Sequence, residues 1–125
     1  MAIYESGENY LEAILLLAQE QKDVHSVDVA RRLGVSKPTV TKAMKTLIQD
    51  GYVVTEGVHL RLTDKGEARA LAVYEKHTVI AQFWVNLGVP VAVAEKDACR
   101  MEHIVSDEVL AVMKAQVEGK NNSNS

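Results

Sequence analysis

Two short amphipathic segments meet at a glycine and run into a β-branched stretch split by a Glu-Gly pair, which leaves few folds open to this chain. In SVDVARRLG (26–34), Ser26 offers a hydroxyl to the free N–H groups of a helix start. Val27, Ala30 and Leu33 recur at helical spacing, and Gly34 supplies a left-handed stop. After Gly34 and Val35, Ser36 opens SKPTVTKAMKTLIQDG. Pro38 suits a first turn, Val40, Met44, Leu47 and Ile48 fall on one inward side, and Gly51 closes the segment. Two helices joined by a tight glycine turn are the helix-turn-helix pattern. The stretch YVVTEGVHLRL (52–62) then has β-branched residues on both sides of Glu56-Gly57, with Val58, Leu60 and Leu62 alternating with His59 and Arg61. It predicts a β-hairpin, a wing.

The rest reads as helix. Tyr10, Ile14 and Leu17, flanked by Leu11, Leu15 and Ala18, give an amphipathic first helix over 5–21. Beyond the wing, Thr63 can cap a long helix over 64–88 whose buried side is marked by Leu71, Tyr74, Ile80, Phe83 and Leu87, with Gly66 weakening it slightly. Pro90 breaks the chain before a helix carrying ACRMEH, and Ser106 can open a last helix over 107–119. KNNSNS (120–125) has nothing to bury and reads as a disordered tail. The fold class is therefore mainly α, a winged helix-turn-helix followed by a helical region, divided as 1–66, 67–119 and the tail 120–125.

The chain has 125 residues, 47% of them apolar, enough for a buried core, and one cysteine, so no intrachain disulfide exists. No apolar run reaches the roughly 18 residues of a membrane span, and MAIYESGENY lacks the order of a signal peptide. A soluble, cytoplasmic protein with no membrane partner is expected. The formal charge of −3 excludes a uniformly basic nucleic-acid binder. Over 24–66, however, seven basic residues face four acidic ones, while the remainder carries thirteen acids against seven bases. One part can meet a polyanion while the other attracts cations. Within the positive part, Ser36, Lys37, Thr39, Thr41, Lys42 and Lys45 face outward on the second helix of the pair, with no acid before Asp50. That helix enters the DNA major groove in winged-helix proteins, and hydroxyls and cations suit phosphates and base edges. Lys42 is the best candidate for a base edge or adjacent phosphate, Pro38 can meet a thymine methyl, and Arg61 can reach phosphate from the wing. The competing reading is a winged helix used only for protein contacts.

In the acidic part, Cys99, Glu102 and His103 stand at i, i+3 and i+4, which on a helix brings thiolate, carboxylate and imidazole to one face. Three such donors suit a divalent transition ion but leave its shell unfinished. His77 is a candidate further donor, and Asn9 and Glu12 share a face of the first helix. The main rival is a redox- or ligand-sensing winged-helix regulator that uses Cys99 without metal. An enzyme is not expected, because no Gly-rich phosphate loop or nucleophile elbow accompanies the ligands; no small-molecule substrate follows.

ACRMEHIVSDE (98–108) resembles the metal-binding segment of the iron- and manganese-dependent repressors of the diphtheria toxin repressor type. ENYLEAILLL (8–17) resembles that family's first helix, VSKPTVTKAMKTLIQDGYV (35–53) its recognition helix, and LTDKGEARA (62–70) the link out of the wing. The resemblance implies a homodimer that binds a palindromic operator in double-stranded DNA when Mn(II) or Fe(II) is bound, with 1–66 as the DNA-binding part and 67–119 as the metal-binding and dimerisation part. It implies primary ligands at Cys99, Glu102 and His103, with position 9 as a fourth donor. The iron branch has methionine there and the manganese branch aspartate; this chain has Asn9. Glu12 and His77 match the manganese branch, whereas Cys99 replaces its acid. The iron branch's second site needs an acid where Ala81 stands, and Glu95 is the candidate substitute. The thiolate suits Fe(II), Zn(II), Co(II) or Ni(II), the oxygen donors Mn(II). Many relatives continue into an SH3-like domain, so the resemblance implies a short form.

Overall fold

The computed structural model describes residues 5–123, with side chains described over 7–119. Six helices and one hairpin follow in the order α1 (Glu5–Glu20), α2 (Ser26–Leu33), α3 (Lys37–Gln49), β1 (Val53–Glu56), β2 (His59–Leu62), α4 (Asp64–Asn86), α5 (Val91–Met101) and α6 (Asp107–Ser123). They divide into two compact units, Met1–Ala72 and Val73–Ser125. The division falls inside α4. Met1 to Tyr4 lie outside the described residues, as do 124–125. Helix α6 continues to Ser123, into the stretch that composition assigns to a tail.

The first unit is the expected winged helix. Leu11 and Ile14 of α1, Val29 of α2, Val40 of α3 and Val53 of β1 are all but fully buried in one core, joined by Tyr10, Leu17, Met44, Leu47, Leu60 and Ala70. Each such aliphatic side chain contributes about 1.5–3 kcal/mol through burial. Gly34 takes φ +68° and ends α2, so that Val35 N–H donates back to the Ala30 carbonyl. Ser36 caps α3, accepting from Thr39 N–H at 3.3 Å, with Pro38 in the first turn. Strands β1 and β2 pair antiparallel from Val53↔Leu62 to Glu56↔His59, which leaves Gly57 and Val58 as a two-residue loop. Gly57 supplies the positive φ, +65°, that such a turn demands. Leu60 N–H also donates to the Val24 carbonyl at 2.8 Å, tying the wing to the connection before α2.

Three expectations are corrected here. The residue capping α2 is His25, whose N–H donates to Asp28 Oδ2 at 2.9 Å; Ser26 is already helical. Ile48 is 41% exposed, because the core stripe of α3 runs through Val40, Met44 and Leu47 alone. Val58 is 73% exposed, because it sits in the turn and leaves the alternation to Leu60 and Leu62.

The His25 N–H bond holds the Asp28 carboxyl below its ordinary value, with Gln21 and His25 side-chain bonds assisting and burial opposing. Since the folded-state value lies below the unfolded one, the stabilisation is full above the usual carboxylate range and is lost as pH falls through the folded value. Asp28→Ala is expected to lower stability by about 1 kcal/mol at pH 7 and by far less at pH 2. Urea unfolding of both proteins at the two pH values measures it; an equal loss at both would rule out the carboxylate.

Helix α4 starts as expected, Thr63 Oγ1 accepting from Gly66 N–H at 3.0 Å while its hydroxyl donates to the Gly51 carbonyl at 2.6 Å. Gly66 has a role that helix propensity hides. A Cβ there would lie 1.9 Å from the Tyr52 carbonyl oxygen, so only glycine lets α4 pass this close to the chain entering the wing.

In the second unit, the core holds Val79, Ile80, Ala81, Ala98 and Met113, with Phe83, Trp84, Met101, Val105 and Leu110 packed on it. Trp84 Nε1–H donates to Met101 Sδ at 3.3 Å. The buried side of α4 differs from the expected one. Ile80 is buried and Phe83 partly so, but Leu71 and Tyr74 are 47% and 40% exposed, and Leu87 lies past the helix end and is exposed. Buried on α4 with Ile80 are Ala70, Val73, Val79 and Ala81. Pro90 stands at the N-cap of α5, and Ser106 Oγ accepts from Val109 N–H at the start of α6. No described helix is long and apolar enough to cross a membrane.

Candidate metal centre and nucleic-acid interface

Helix α5 ends at Met101, with Glu102 as its C-cap. The expected single helical face for Cys99, Glu102 and His103 is therefore corrected: Cys99 is helical, Glu102 terminal, and His103 lies in the following turn. There the Ile104 and Val105 N–H groups both donate to the Met101 carbonyl. Cys99 and Glu102 each approach His77, and His103 lies beside Glu102.

His77, reaching in from α4, is the hub. Its Nδ1 lies 3.0 Å from Glu102 Oε2 and 3.8 Å from Cys99 Sγ, and its Nε2 lies 2.5 Å from Glu95 Oε2. The hydrogen bond to Glu102 raises the His77 pKa to about 9 against the opposing effect of burial, and Glu95 adds to the rise. The ring is thus an imidazolium at neutral pH, donating a proton to each carboxylate. His103 is nearly enclosed, with Nε2 3.4 Å from Glu102 Oε1. That oxygen accepts no hydrogen bond although the Glu102 side chain is wholly buried. A buried carboxylate oxygen without a donor is costly, and a cation is the partner that would remove the cost.

The structure brings together His77, Glu95, Cys99, Glu102 and His103. Asn9 and Glu12 lie one turn apart on α1 in the first unit, both half-buried. Among the described residues no set of three or more His, Cys, Asp and Glu side chains stands in position to hold a metal ion. His77 instead shares protons with Glu95 and Glu102. Chemically they fit a transition ion: sulfur, imidazole nitrogen and carboxylate oxygen are a borderline set, ill suited to Mg(II) or Ca(II). Ala81, 5% exposed, fills the core where an acid was needed for the iron branch's second site.

In the first unit, Ser36, Lys37, Pro38, Thr39, Thr41, Lys42 and Lys45 are all exposed along α3. The hydroxyls are partly engaged: Ser36 Oγ and Thr39 Oγ1 share a hydrogen bond at 2.7 Å, and Thr41 Oγ1 donates to the Lys37 carbonyl. Lys42 and Lys45 flank a mainly apolar groove between α3 and the wing, floored by Met44, Ile48 and Leu60. Arg61 is exposed and pairs with Glu56 across the hairpin. Sequence reasoning missed this partner, although opposite charges on diagonal hairpin positions are a readable signal.

A winged helix-turn-helix followed through α4 by a second, helical unit in which His77 meets Glu95, Cys99 and Glu102 places the chain in the class of winged-helix proteins with a helical second domain. The chain belongs to the iron dependent repressor family: the family's N-terminal DNA binding domain matches residues 2–59, and its metal binding and dimerisation domain matches 63–120. Family members are metal-dependent transcriptional regulators that bind DNA. The chain is 41% identical over 106 residues to the transcriptional regulator MntR of Escherichia coli O157:H7, covering 82% of this chain and 67% of that one. It is 35% identical over 109 residues to the iron-dependent repressor IdeR of Mycobacterium tuberculosis (strain ATCC 25618 / H37Rv), covering 86% and 47%. Among solved structures, a manganese-dependent transcriptional repressor in complex with manganese superposes with a TM-score of 0.81 at 34% identity, over 90% of this chain and 52% of that one. ScaR with bound Zn2+ gives 0.77 at 27%, over 90% and 53%. The chain spans about half the length of these solved repressors. The metal-free reading of Cys99 finds no support among these relatives.

Proposed function

We propose that the protein is a homodimeric repressor that binds a palindromic operator in double-stranded DNA when Mn(II) or Fe(II) is bound, and that it is not an enzyme. The observation that carries the metal half of this reading is the buried Oε1 of Glu102, which accepts no hydrogen bond and has His103 Nε2 3.4 Å away, on a carboxylate that also meets His77. Cys99, Glu102, His103 and His77 are the proposed ligands, with Glu95 beside His77 and with Asn9 and Glu12 as further donors. When bound, a divalent cation neutralises the carboxylates and thiolate and holds their side chains in one arrangement. For its ring to donate a lone pair, His77 gives up a proton that it shares with Glu102 or Glu95. A metal-bound state in which the spacing of two recognition helices matches successive major grooves, about 34 Å apart, would favour operator binding. A differential of about 1.4 kcal/mol suffices for a tenfold gain in operator affinity. Exposed apolar residues of the second unit, among them Val91, Ile104, Val109 and Val112, support a second copy as the partner that covers them. A cytoplasmic location fits a regulator of this kind.

Binding to duplex DNA from upstream of the protein's own gene, titrated with Mn(II) and with anaerobic Fe(II), each with a chelator control, tests the reading. Affinity that rises with metal and falls with chelator supports it; indifference to both overturns it. In the same assay Lys42→Ala is expected to weaken binding and to lower the slope of log affinity against log salt by about 0.9, with metal affinity unchanged. An equal loss of metal affinity would refute the separation of the two roles.

A further inference from the structure

The wing carries one cation beside its turn, and that cation is held by an acid on the opposite strand. In the hairpin register Arg61 faces Val54 and Glu56 faces His59, so Arg61 and Glu56 are diagonal neighbours on one face. Their pairing holds the Arg61 guanidinium on Glu56, the last strand residue before the turn at Gly57 and Val58. The opposite face, with Val53 and Leu60, is buried in the core. A second pair stands beside the first: His59 Nδ1 lies 3.6 Å from Asp23 Oδ1, and the His59 ring packs edge-on against His25 at 4.8 Å. Glu56, His59 and Arg61, with Asp23, Lys22 and Glu67, line a cleft of about 300 Å³ beside the end of α1. The two charges of the wing's outer face thus cancel within the protein, whereas Lys42 and Lys45 on α3 are in no ion pair among the described residues.

We infer that Glu56 is a positioning residue for DNA binding: it holds Arg61 in an intramolecular pair, so that the wing engages a backbone phosphate only by exchanging the Glu56 carboxylate for it. This deepens the proposed operator-binding reading and rests on it. The pair is solvent-exposed on both sides, 64% for Arg61 and 57% for Glu56, so it is weak enough to be exchanged. The two non-bridging oxygens of a backbone phosphate can accept from the guanidinium in place of the Glu56 oxygen, with room for a second, bidentate hydrogen bond. The exchange makes the wing's contribution conditional on a close and well-oriented phosphate, which discriminates against loose encounters with the polyanion. Arg61 then contributes little to steering from a distance, and α3 carries that role.

The test uses the Mn(II)-loaded full chain and a mixed-sequence 30-base-pair duplex, because phosphate contacts do not depend on sequence. Wild type, Glu56→Gln, Arg61→Gln and the double variant are compared across a salt series. Glu56→Gln is expected to tighten binding about two- to fivefold and to steepen the salt slope by up to about 0.9. In the Arg61→Gln background the same change should leave both quantities nearly unaltered. An equal tightening in both backgrounds would show a general effect of removing a negative charge and overturn the inference, as would no change in either. If the wild-type protein fails to bind any duplex, the DNA-binding reading itself falls; binding by wild type without the Arg61-dependent difference overturns only the role of Glu56.

Discussion

Gly66→Ala is expected to lower stability by about 3 kcal/mol or more, a large part of the 5–15 kcal/mol that a domain of this size commands. The added Cβ would stand 1.9 Å from the Tyr52 carbonyl oxygen and 2.9 Å from its carbonyl carbon, both backbone atoms that no rotamer change can move. Relief requires the start of α4 to shift away from the entrance to the wing. That shift strains the bond from Thr63 N–H to the Tyr52 carbonyl and the bond from the Thr63 hydroxyl to Gly51. It also moves Lys65, which donates to the Asp50 carbonyl and lies 4.2 Å over the Tyr52 ring. On helix propensity alone the substitution should instead gain about 1 kcal/mol. The opposite signs make the measurement decisive: urea unfolding that shows an alanine variant as stable as wild type would refute the close approach.

Glu102→Gln is expected to abolish the response to metal while leaving a folded protein. Glutamine keeps the shape of Glu102 and can still accept from His77 Nδ1–H, so the metal-free protein should melt within a few degrees of wild type. What disappears is the buried negative charge whose Oε1 has no donor. For wild type, Mn(II) at a hundred times its dissociation constant should add about 2.7 kcal/mol, a rise in melting temperature of about 10 °C. The variant should show almost none of this rise, and its DNA binding should ignore added Mn(II). His103→Ala is the companion, expected to lose the same response from the other side of Glu102. A full metal-induced rise in both variants would remove this cluster from the metal site.

Much of this architecture was legible because local physics dictates it. Gly34 ends α2, Ser36 starts α3, and Thr63 and Ser106 start α4 and α6 through hydrogen bonds within a few residues in sequence, while Pro38 suits the first turn of α3 by its fixed φ. The exposed hydroxyl and lysine row of α3 was readable from helical spacing, since a buried stripe at Val40, Met44 and Leu47 leaves the other positions outward. Reading faltered where an outcome depends on what packs against an element. Leu71 and Tyr74 looked like the buried side of α4 because they are large, yet the residues buried there are Ala70, Val73, Val79, Ile80 and Ala81. His25 displaced Ser26 as the cap because Asp28 could reach back to its N–H.

The metal-binding string shows the same boundary. Residue types and spacing at Cys99, Glu102 and His103 marked the chemistry, since few other uses gather a thiol, a carboxylate and an imidazole within five positions. Spacing did not reveal that α5 ends between them, that His77 joins Glu102 to Glu95 from eighteen and twenty-five residues away, or that one oxygen of Glu102 is enclosed without a donor. The order of elements, their caps and the sign of charge along the chain follow from the sequence because each depends on interactions within a turn or two. Protonation of His77, the enclosure of Glu102 and the need for glycine at 66 were decided by tertiary structure alone, because solvent exclusion and contact at a few ångströms arise only when segments distant in sequence pack together.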